Sequence, residues 1–244
     1  MKIFMASLGC DKNLVDSEEM LGLLAAEGFS VTDDEREAEV IIVNTCAFIG
    51  DAKEESIRTI LELSAFKKEA GNAGKCLALL VTGCLAERYH EEFKKELPEV
   101  DAVVGTGAWD RIVPAVKECL AGKSTEMLSK DHHIIPPTGR RMLSTGGHFA
   151  YMKIAEGCDK RCTYCIIPTL RGSYHSVPLE ELTAEAERLA GQGVKELILV
   201  AQETTVYGVD LYGEKALPRL LRELSRIDGI RWIRLMYCYP EEIT

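Results

Sequence analysis

Over the first 120 residues, short apolar runs alternate with amphipathic stretches, the pattern of repeated strand-helix units laid into a mostly parallel sheet. The runs predict strands over 2–7, 40–45, 77–82 and 102–105, with a helix after each. In the first of these helices, over 14–26, Leu14, Met20, Leu21, Leu24 and Ala25 fall near one face and Gly28 supplies a C-terminal stop. Ile57, Ile60 and Leu61 mark a second helix over 51–68, and two more are expected at 86–96 and 109–120.

Between 122 and 147 the periodicity fails, and Pro136, Pro137, Gly139, Gly146 and Gly147 punctuate a polar stretch that reads as a linker. The alternation then resumes with a strand over 149–155, a helix over 179–190, a strand over 196–201, a helix over 217–227 and a strand over 232–237. The expected organisation is therefore a parallel-sheet α/β domain over 1–121, a linker over 122–147, and the first part of a barrel-type βα array over 148–244. Because so short a parallel array leaves an unpaired edge and an uncovered face, the natural protein is expected to continue beyond Thr244.

Composition narrows the class. With 46% hydrophobic and 28% charged residues, 20 Gly and 8 Pro, the chain is expected to fold as a globule rather than stay disordered. No stretch approaches the ~20 apolar residues of a membrane-spanning helix, since even 40–49 is interrupted by Asn44 and Thr45. The opening residues to Cys10 are too short for a secretion signal, because Asp11 and Lys12 end the apolar run. A cytoplasmic location follows as the expectation. Residues 1–140 carry 16 Lys and Arg against 25 Asp and Glu, whereas residues 141–244 carry 13 against 14. An acidic surface repels phosphates, so no strong nucleic-acid binding by these residues is expected.

Nine cysteines change the picture most. In a reducing compartment an odd count reads as metal ligands rather than a disulfide framework. The densest group is Cys158, Cys162 and Cys165, in the spacing Cys-x3-Cys-x2-Cys just after an expected strand. Three thiolates on a short loop suit three irons of a 4Fe-4S cluster and leave the fourth open for a ligand. The competing readings are a zinc site completed by His148 or His175, and three unrelated core cysteines. Cys10, Cys46 and Cys84 each follow an expected strand of the first domain. In a parallel sheet those loops emerge at one edge, so the thiols can converge. Small buried cysteines at strand ends are an equally good account of that spacing. Cys76, Cys119 and Cys238 lack the pattern and read as packing residues.

The Cys158 motif, with Tyr164 before its last cysteine, resembles the radical S-adenosylmethionine superfamily. That resemblance implies a partial TIM-type barrel, a 4Fe-4S cluster and S-adenosylmethionine chelated at its open iron, and a cofactor-borne radical able to attack an unactivated C–H bond. The flanks of the other triplet, SLGCDKNLVDSE from Ser7, VNTCAF from Val43 and VTGCLAERY from Val81, resemble the methylthiotransferases of that superfamily, and this resemblance spans nearly the whole chain. It implies a second 4Fe-4S cluster on Cys10, Cys46 and Cys84 that presents sulfur for insertion. One branch acts on a transfer RNA adenosine and typically reads Gly-Cys-Gln-Met-Asn at the first cysteine. The other acts on an aspartate of small-subunit ribosomal protein twelve. Gly9-Cys10-Asp11-Lys12-Asn13, the stretch from Cys165 to Gly172 and that from Ala201 to Asp210 resemble the second, although Asp11 stands where proline is commoner. An electron-donor reductase or flavodoxin-type protein is the implied partner. A non-catalytic zinc-binding module is the rival from another class.

Gln202 and Glu203 close an expected strand of the barrel type, where cofactor contacts gather. They are candidates for the amino acid portion of S-adenosylmethionine, against a solvated strand end. Tyr164 is a candidate to pack by the cluster or adenine, against filling the loop's core. Arg171 before Gly172 suits orienting a carboxylate or phosphate, against an exposed turn residue. Gly105-Thr106-Gly107 has the form of a phosphate loop, yet a tight turn explains it equally. His90, His132 and His133 lie in polar surroundings and read as surface residues.

Overall fold

The computed structural model describes residues 1–68, 74–129 and 136–243. The chain divides into two compact units, Met1–Asp131 and His132–Thr244.

The first unit runs β1 (Lys2–Ser7), α1 (Asp11–Ala26), β2 (Ser30–Val31), β3 (Val40–Thr45), α2 (Gly50–Ser64), β4 (Ala78–Gly83), α3 (Cys84–Arg88), α4 (His90–Glu96), β5 (Ala102–Val104), α5 (Ile112–Leu120) and β6 (Thr125–Met127). A 3-10 turn over Thr106–Arg111 leads into α5. Its sheet is entirely parallel, in the order β2-β1-β3-β4-β5-β6. Every residue of β3 and β4 is buried, as the near-continuous apolar runs at 40–45 and 78–83 require of central parallel strands. Two expectations change here. The helix expected over 86–96 is two helices, because Tyr89 leaves helical geometry at φ −126° and ψ 29°. Within the stretch expected as linker, Thr125–Met127 is the sixth strand; only Met127 of its three residues is buried, so it carries no apolar run to announce it.

The second unit runs β7 (Phe149–Lys153), β8 (Ala155–Glu156), α6 (Ile167–Arg171), β9 (His175–Ser176), α7 (Leu179–Gly191), β10 (Glu196–Val200), α8 (Val209–Tyr212), α9 (Leu217–Leu224) and β11 (Trp232–Leu235). Three strands form a parallel sheet in the order β11-β10-β7, and β8 pairs with β9 antiparallel. Leu182, Ala186 and Leu189 of α7 and Leu220 and Leu224 of α9 close over Met152, Leu197 and Leu199. These helical positions recur at three and four residues, so each helix presents one apolar stripe to the strands. Among the described residues no helix is long and apolar enough to cross a membrane.

Candidate metal centres

In the first unit β1, β3 and β4 are neighbours in the sheet. Cys10, Cys46 and Cys84 therefore leave the carboxyl ends of three adjacent parallel strands. Cys10 is the N-cap residue of α1. Cys84 opens α3. The Cys46 backbone is fixed from below by Ser56, which accepts a hydrogen bond from the Cys46 N–H (3.0 Å) and donates to its carbonyl (3.1 Å). Cys46 and Cys84 are buried, at 8% and 4% exposure, while Cys10 is half-buried.

Glycines let these loops approach. Gly9 has φ +88°, and a Cβ there would lie 2.7 Å from the Cys46 Cβ. Gly83 has φ +89°, and a Cβ there would lie 2.3 Å from Asn44 Oδ1 and 2.5 Å from the Thr45 carbonyl oxygen. Both positions demand left-handed backbone and the absence of a side chain. Beneath the loops lies a buried polar network. Asn44 donates from Nδ2 to the Asn13 carbonyl (2.8 Å) and to Ser17 Oγ (2.9 Å), and Ser17 pairs with Ser7 at 2.8 Å. Asn44 Oδ1 is buried without a hydrogen-bond partner among the described residues.

In the second unit Cys158, Cys162 and Cys165 lie on the loop between β8 and α6, and all three are half-buried. Arg161 takes φ 47°, a left-handed residue that folds the loop back, and the Cys165 N–H closes a turn onto the Cys162 carbonyl at 2.9 Å. The base is pinned at Cys158, whose N–H donates to the Gly172 carbonyl at 3.1 Å. Gly157, at φ +75°, has the Ser173 carbonyl oxygen 1.9 Å from where a Cβ would sit, so no other residue fits. Burial pushes the Cys158 thiol up; a backbone hydrogen bond at Lys160 opposes this, and Cys165, Cys162 and Glu203 reinforce it.

Within the same loop Lys160 sets its ammonium 3.0 Å from Glu242, 3.6 Å from Glu203 and 4.3 Å from the centre of the Tyr239 ring. Tyr164 is 82% exposed, so it does not fill the loop's core. None of the nine cysteines is in a disulfide. Among the described residues no three His, Cys, Asp or Glu side chains form a ready group for a metal ion, so the case for the two triads rests on where the fold places them.

Beside the second triad is a buried charge network that the residue pattern alone did not disclose. Glu156 accepts from Lys153 Nζ (2.7 Å) and Arg171 Nη1 (2.8 Å) on Oε2, and from Gln202 Nε2 (2.6 Å) on Oε1. Burial works to raise the Glu156 carboxyl, but Arg171, Lys153 and the hydrogen bonds from Lys153 and Gln202 outweigh it and hold the group well below the usual carboxylate range. Arg171 is 2% exposed, so it orients an internal carboxylate rather than a surface turn. Gln202 and Glu203 follow the carboxyl end of β10. Glu203 is buried, takes the Thr205 N–H on Oε1 at 3.1 Å and also pairs with the Thr205 hydroxyl. Gln202 Oε1 and Glu203 Oε2 are buried acceptors with no hydrogen-bond partner among the described residues, Lys160 standing beyond hydrogen-bond reach of the latter. Glu203 is therefore not the solvated strand end of the competing reading, whereas Gln202 is half-buried.

The remaining candidates resolve individually. His148 precedes β7 and so lies at the end of that strand opposite the cysteine loop, roughly 16 Å away at ~3.3 Å per residue. His175 has Nδ1 2.8 Å from the Ser173 carbonyl oxygen. Thr106 of the glycine loop donates its N–H to Glu87 (3.0 Å), and the Glu87 carboxylate fills the space beside Gly105; a phosphate there would face a like charge. His90 is not a plain surface residue, since Nδ1 lies 2.6 Å from Glu126. His132 and His133 lie outside the described residues. Cys76 and Cys119 are buried thiols pushed up by that burial, to about 11 and about 12. Cys238 is half-buried.

Comparison with known proteins agrees with this division. Residues 2–105 match the uncharacterized protein family UPF0004 and residues 152–242 match the radical SAM superfamily. The chain is 59% identical over 244 residues to the ribosomal protein uS12 methylthiotransferase RimO of Lachnoclostridium phytofermentans, covering 100% of this chain and 54% of that protein. It is 54% identical to RimO of Acetivibrio thermocellus, covering 99% of this chain and 54% of that protein. The chain thus spans about half the length of the curated relatives it matches. Among solved structures, the radical S-adenosylmethionine methyltransferase TsrM of Kitasatospora setae, with cobalamin and a 4Fe-4S cluster bound, aligns with a TM-score of 0.59 at 13% identity, over 91% of this chain and 51% of that one. The cobalamin-dependent S-adenosylmethionine radical enzyme OxsB aligns with a TM-score of 0.56 at 12% identity, over 95% of this chain and 38% of that one. At such identities the likeness is one of fold, and it is to radical-SAM enzymes with their α/β architecture. Together with the two matched regions and the relatives that align along its whole length, this places the chain in the radical S-adenosylmethionine methylthiotransferase family.

Proposed function

We propose that the full-length protein is a cytoplasmic transferase that inserts sulfur and methyl, as a methylthio group, at the β carbon of an aspartate in ribosomal protein uS12. The observation that carries the proposal is the pair of cysteine triads, one at the carboxyl ends of three adjacent parallel strands and one on the loop after β8. Each triad fits a 4Fe-4S cluster in donor chemistry: three thiols, a glycine-lined approach, and no disulfide to compete. Cys10, Cys46 and Cys84 would hold the sulfur-presenting cluster, and Cys158, Cys162 and Cys165 the one that takes S-adenosylmethionine. Bound there, the clusters and S-adenosylmethionine would supply sulfur, methyl and a one-electron route to an unactivated C–H bond.

The protein's own groups bind and orient. Glu203 Oε2 and Gln202 Oε1 offer two buried acceptors suited to the N–H donors of the S-adenosylmethionine amino group, and Glu156 fixes the Gln202 amide by accepting from its NH2. Tyr164 stands exposed beside Cys165, free to stack on an adenine. The chain's relatives, ribosomal protein uS12 methylthiotransferases, support uS12 rather than transfer RNA as substrate. An electron-donor reductase or flavodoxin-type protein would complete the system.

The test is anaerobic reconstitution of the full-length protein, followed by metal analysis and incubation with uS12, S-adenosylmethionine and a reductant. About eight irons per chain and a methylthio mass gain on one uS12 aspartate are expected. A colourless zinc protein would overturn the cofactor assignment. Modification of a transfer RNA adenosine alone would overturn the substrate.

A further inference from the structure

We infer that Asn13 is the positioning residue of the first cysteine triad, its carboxamide tying the Cys10 and Cys46 loops together, beside Cys84, in the register that a cluster needs. The inference rests on the assignment of Cys10, Cys46 and Cys84 as ligands. Asn13 lies in the first turn of α1, three residues after Cys10, and is completely buried. Its Nδ2 donates one hydrogen bond to the Leu8 carbonyl (3.0 Å), in the loop that carries Cys10. It donates a second to the carbonyl of Thr45 (2.9 Å), the residue before Cys46. With both amide hydrogens committed, the orientation of the side chain is fixed, and Oδ1 turns to the third loop, 4.0 Å from Cys84 Sγ. One side chain thus touches three loops separated by tens of residues in sequence.

The surroundings make the arrangement exacting. A Cβ at Gly9 would come within 3.2 Å of Asn13 Nδ2, so the amide fills the space between the first two loops. The Asn13 carbonyl in turn accepts from Asn44 Nδ2 at 2.8 Å, which ties the first turn of α1 to the end of β3. Hydrogen bonds in such a buried setting are strong and directional. Aspartate at position 13 would keep the shape but set acceptors against two carbonyl oxygens. Alanine would leave those carbonyls without the amide and open a gap between the loops.

Ser17 supplies the contrast. It belongs to the same buried network, but its partners Asn44 and Ser7 are residues of β3 and β1 rather than of the cysteine loops. In full-length protein carrying Cys158, Cys162 and Cys165 changed together to Ala, the iron that remains reports the first triad alone. Asn13→Asp, Asn13→Ala and Ser17→Ala are compared in that background by iron per chain after reconstitution and desalting, by the EPR spectrum of the reduced cluster, and by thermal unfolding of the iron-free protein. Ser17→Ala should lower the unfolding temperature yet keep both iron and spectrum. Each Asn13 variant should lose at least half its iron and show altered g values in what remains. Full iron with an unchanged spectrum in Asn13→Ala overturns the inference, as does an equal loss in Ser17→Ala, which would assign the effect to the network as a whole. If the background with Asn13 intact holds no iron, the ligand assignment itself falls and takes this inference with it.

Discussion

Arg171 Nη1 and Glu156 Oε2 stand 2.8 Å apart in a buried ion pair that links the end of α6 to the residue before the Gly157 turn. The pair spans the second cysteine loop, leaving from Glu156 on one side and returning through Arg171 on the other. Its carboxylate is held ionised against the effect of burial by Arg171 and then Lys153. A carboxyl held this low contributes stability that is complete above its ordinary value of about 4.3 and is lost as the pH falls through the folded value. Unfolding temperature should therefore drop steadily below about pH 4.3, and Glu156→Gln should flatten that acid limb. At neutral pH the same variant should be destabilised by about 3 kcal/mol, since one partner of a buried pair is removed. Denaturant titrations at several pH values check both; an acid limb unchanged in Glu156→Gln would show that other carboxylates govern it.

Gly83 and Gly28 share a left-handed backbone, at φ +89° and +88°, but differ in the space around them. Alanine at position 28 meets nothing within 4 Å, so Gly28→Ala should cost about 1 kcal/mol for backbone strain alone. Alanine at position 83 meets Asn44 Oδ1 and the Thr45 backbone, so Gly83→Ala should cost about 3 kcal/mol and displace the Cys46 and Cys84 loops from each other. Urea unfolding of the two variants measures the difference, and equal losses would show that the loops yield to the added methyl.

Much of this was legible in the residue pattern because parallel strands announce themselves. The runs at 2–7 and 40–45 coincide with β1 and β3, and consecutive strand-helix units bring Cys10, Cys46 and Cys84 to one edge without any spacing motif. Thr125–Met127 escaped because an edge strand with one buried residue has no alternation to read. The break at Tyr89 escaped because 86–96 keeps helix-forming composition across it. Asn13 and Glu156 escaped for a different reason. Their importance lies in hydrogen bonds made 32 and 46 residues away, to the Thr45 carbonyl and the Gln202 amide, and no local period encodes such a pairing. Arg171 was visible as a carboxylate-orienting group, but only the fold shows that the carboxylate is the chain's own.

Gln202 is tied to Glu156 through Nε2 at 2.6 Å while its Oε1 stays buried without a hydrogen-bond partner among the described residues. Gln202→Leu would remove that acceptor and the bond to Glu156 together, leaving the position filled at similar volume. S-adenosylmethionine affinity in reconstituted full-length protein should weaken by about tenfold, equivalent to about 1.4 kcal/mol. Equilibrium binding reads this directly, with iron content as the control for an intact cluster. Unchanged affinity at full iron would remove Gln202 from the cofactor site.

The two triads lie in separate compact units, so they should be separable by mutation. Changing Cys158, Cys162 and Cys165 together to Ala should halve the iron, from about eight to about four per chain, and abolish reductive cleavage of S-adenosylmethionine. Changing Cys10, Cys46 and Cys84 together to Ala should also halve the iron but leave that cleavage largely intact, because the cluster proposed to take S-adenosylmethionine is the other one. Sulfur insertion into uS12 should be lost in both. The informative readout is the split between cleavage and insertion: a fold effect would depress both together, whereas two centres with different tasks give cleavage without insertion only in the first-unit variant. Full iron retention in either triple variant would show that its cysteines are not ligands.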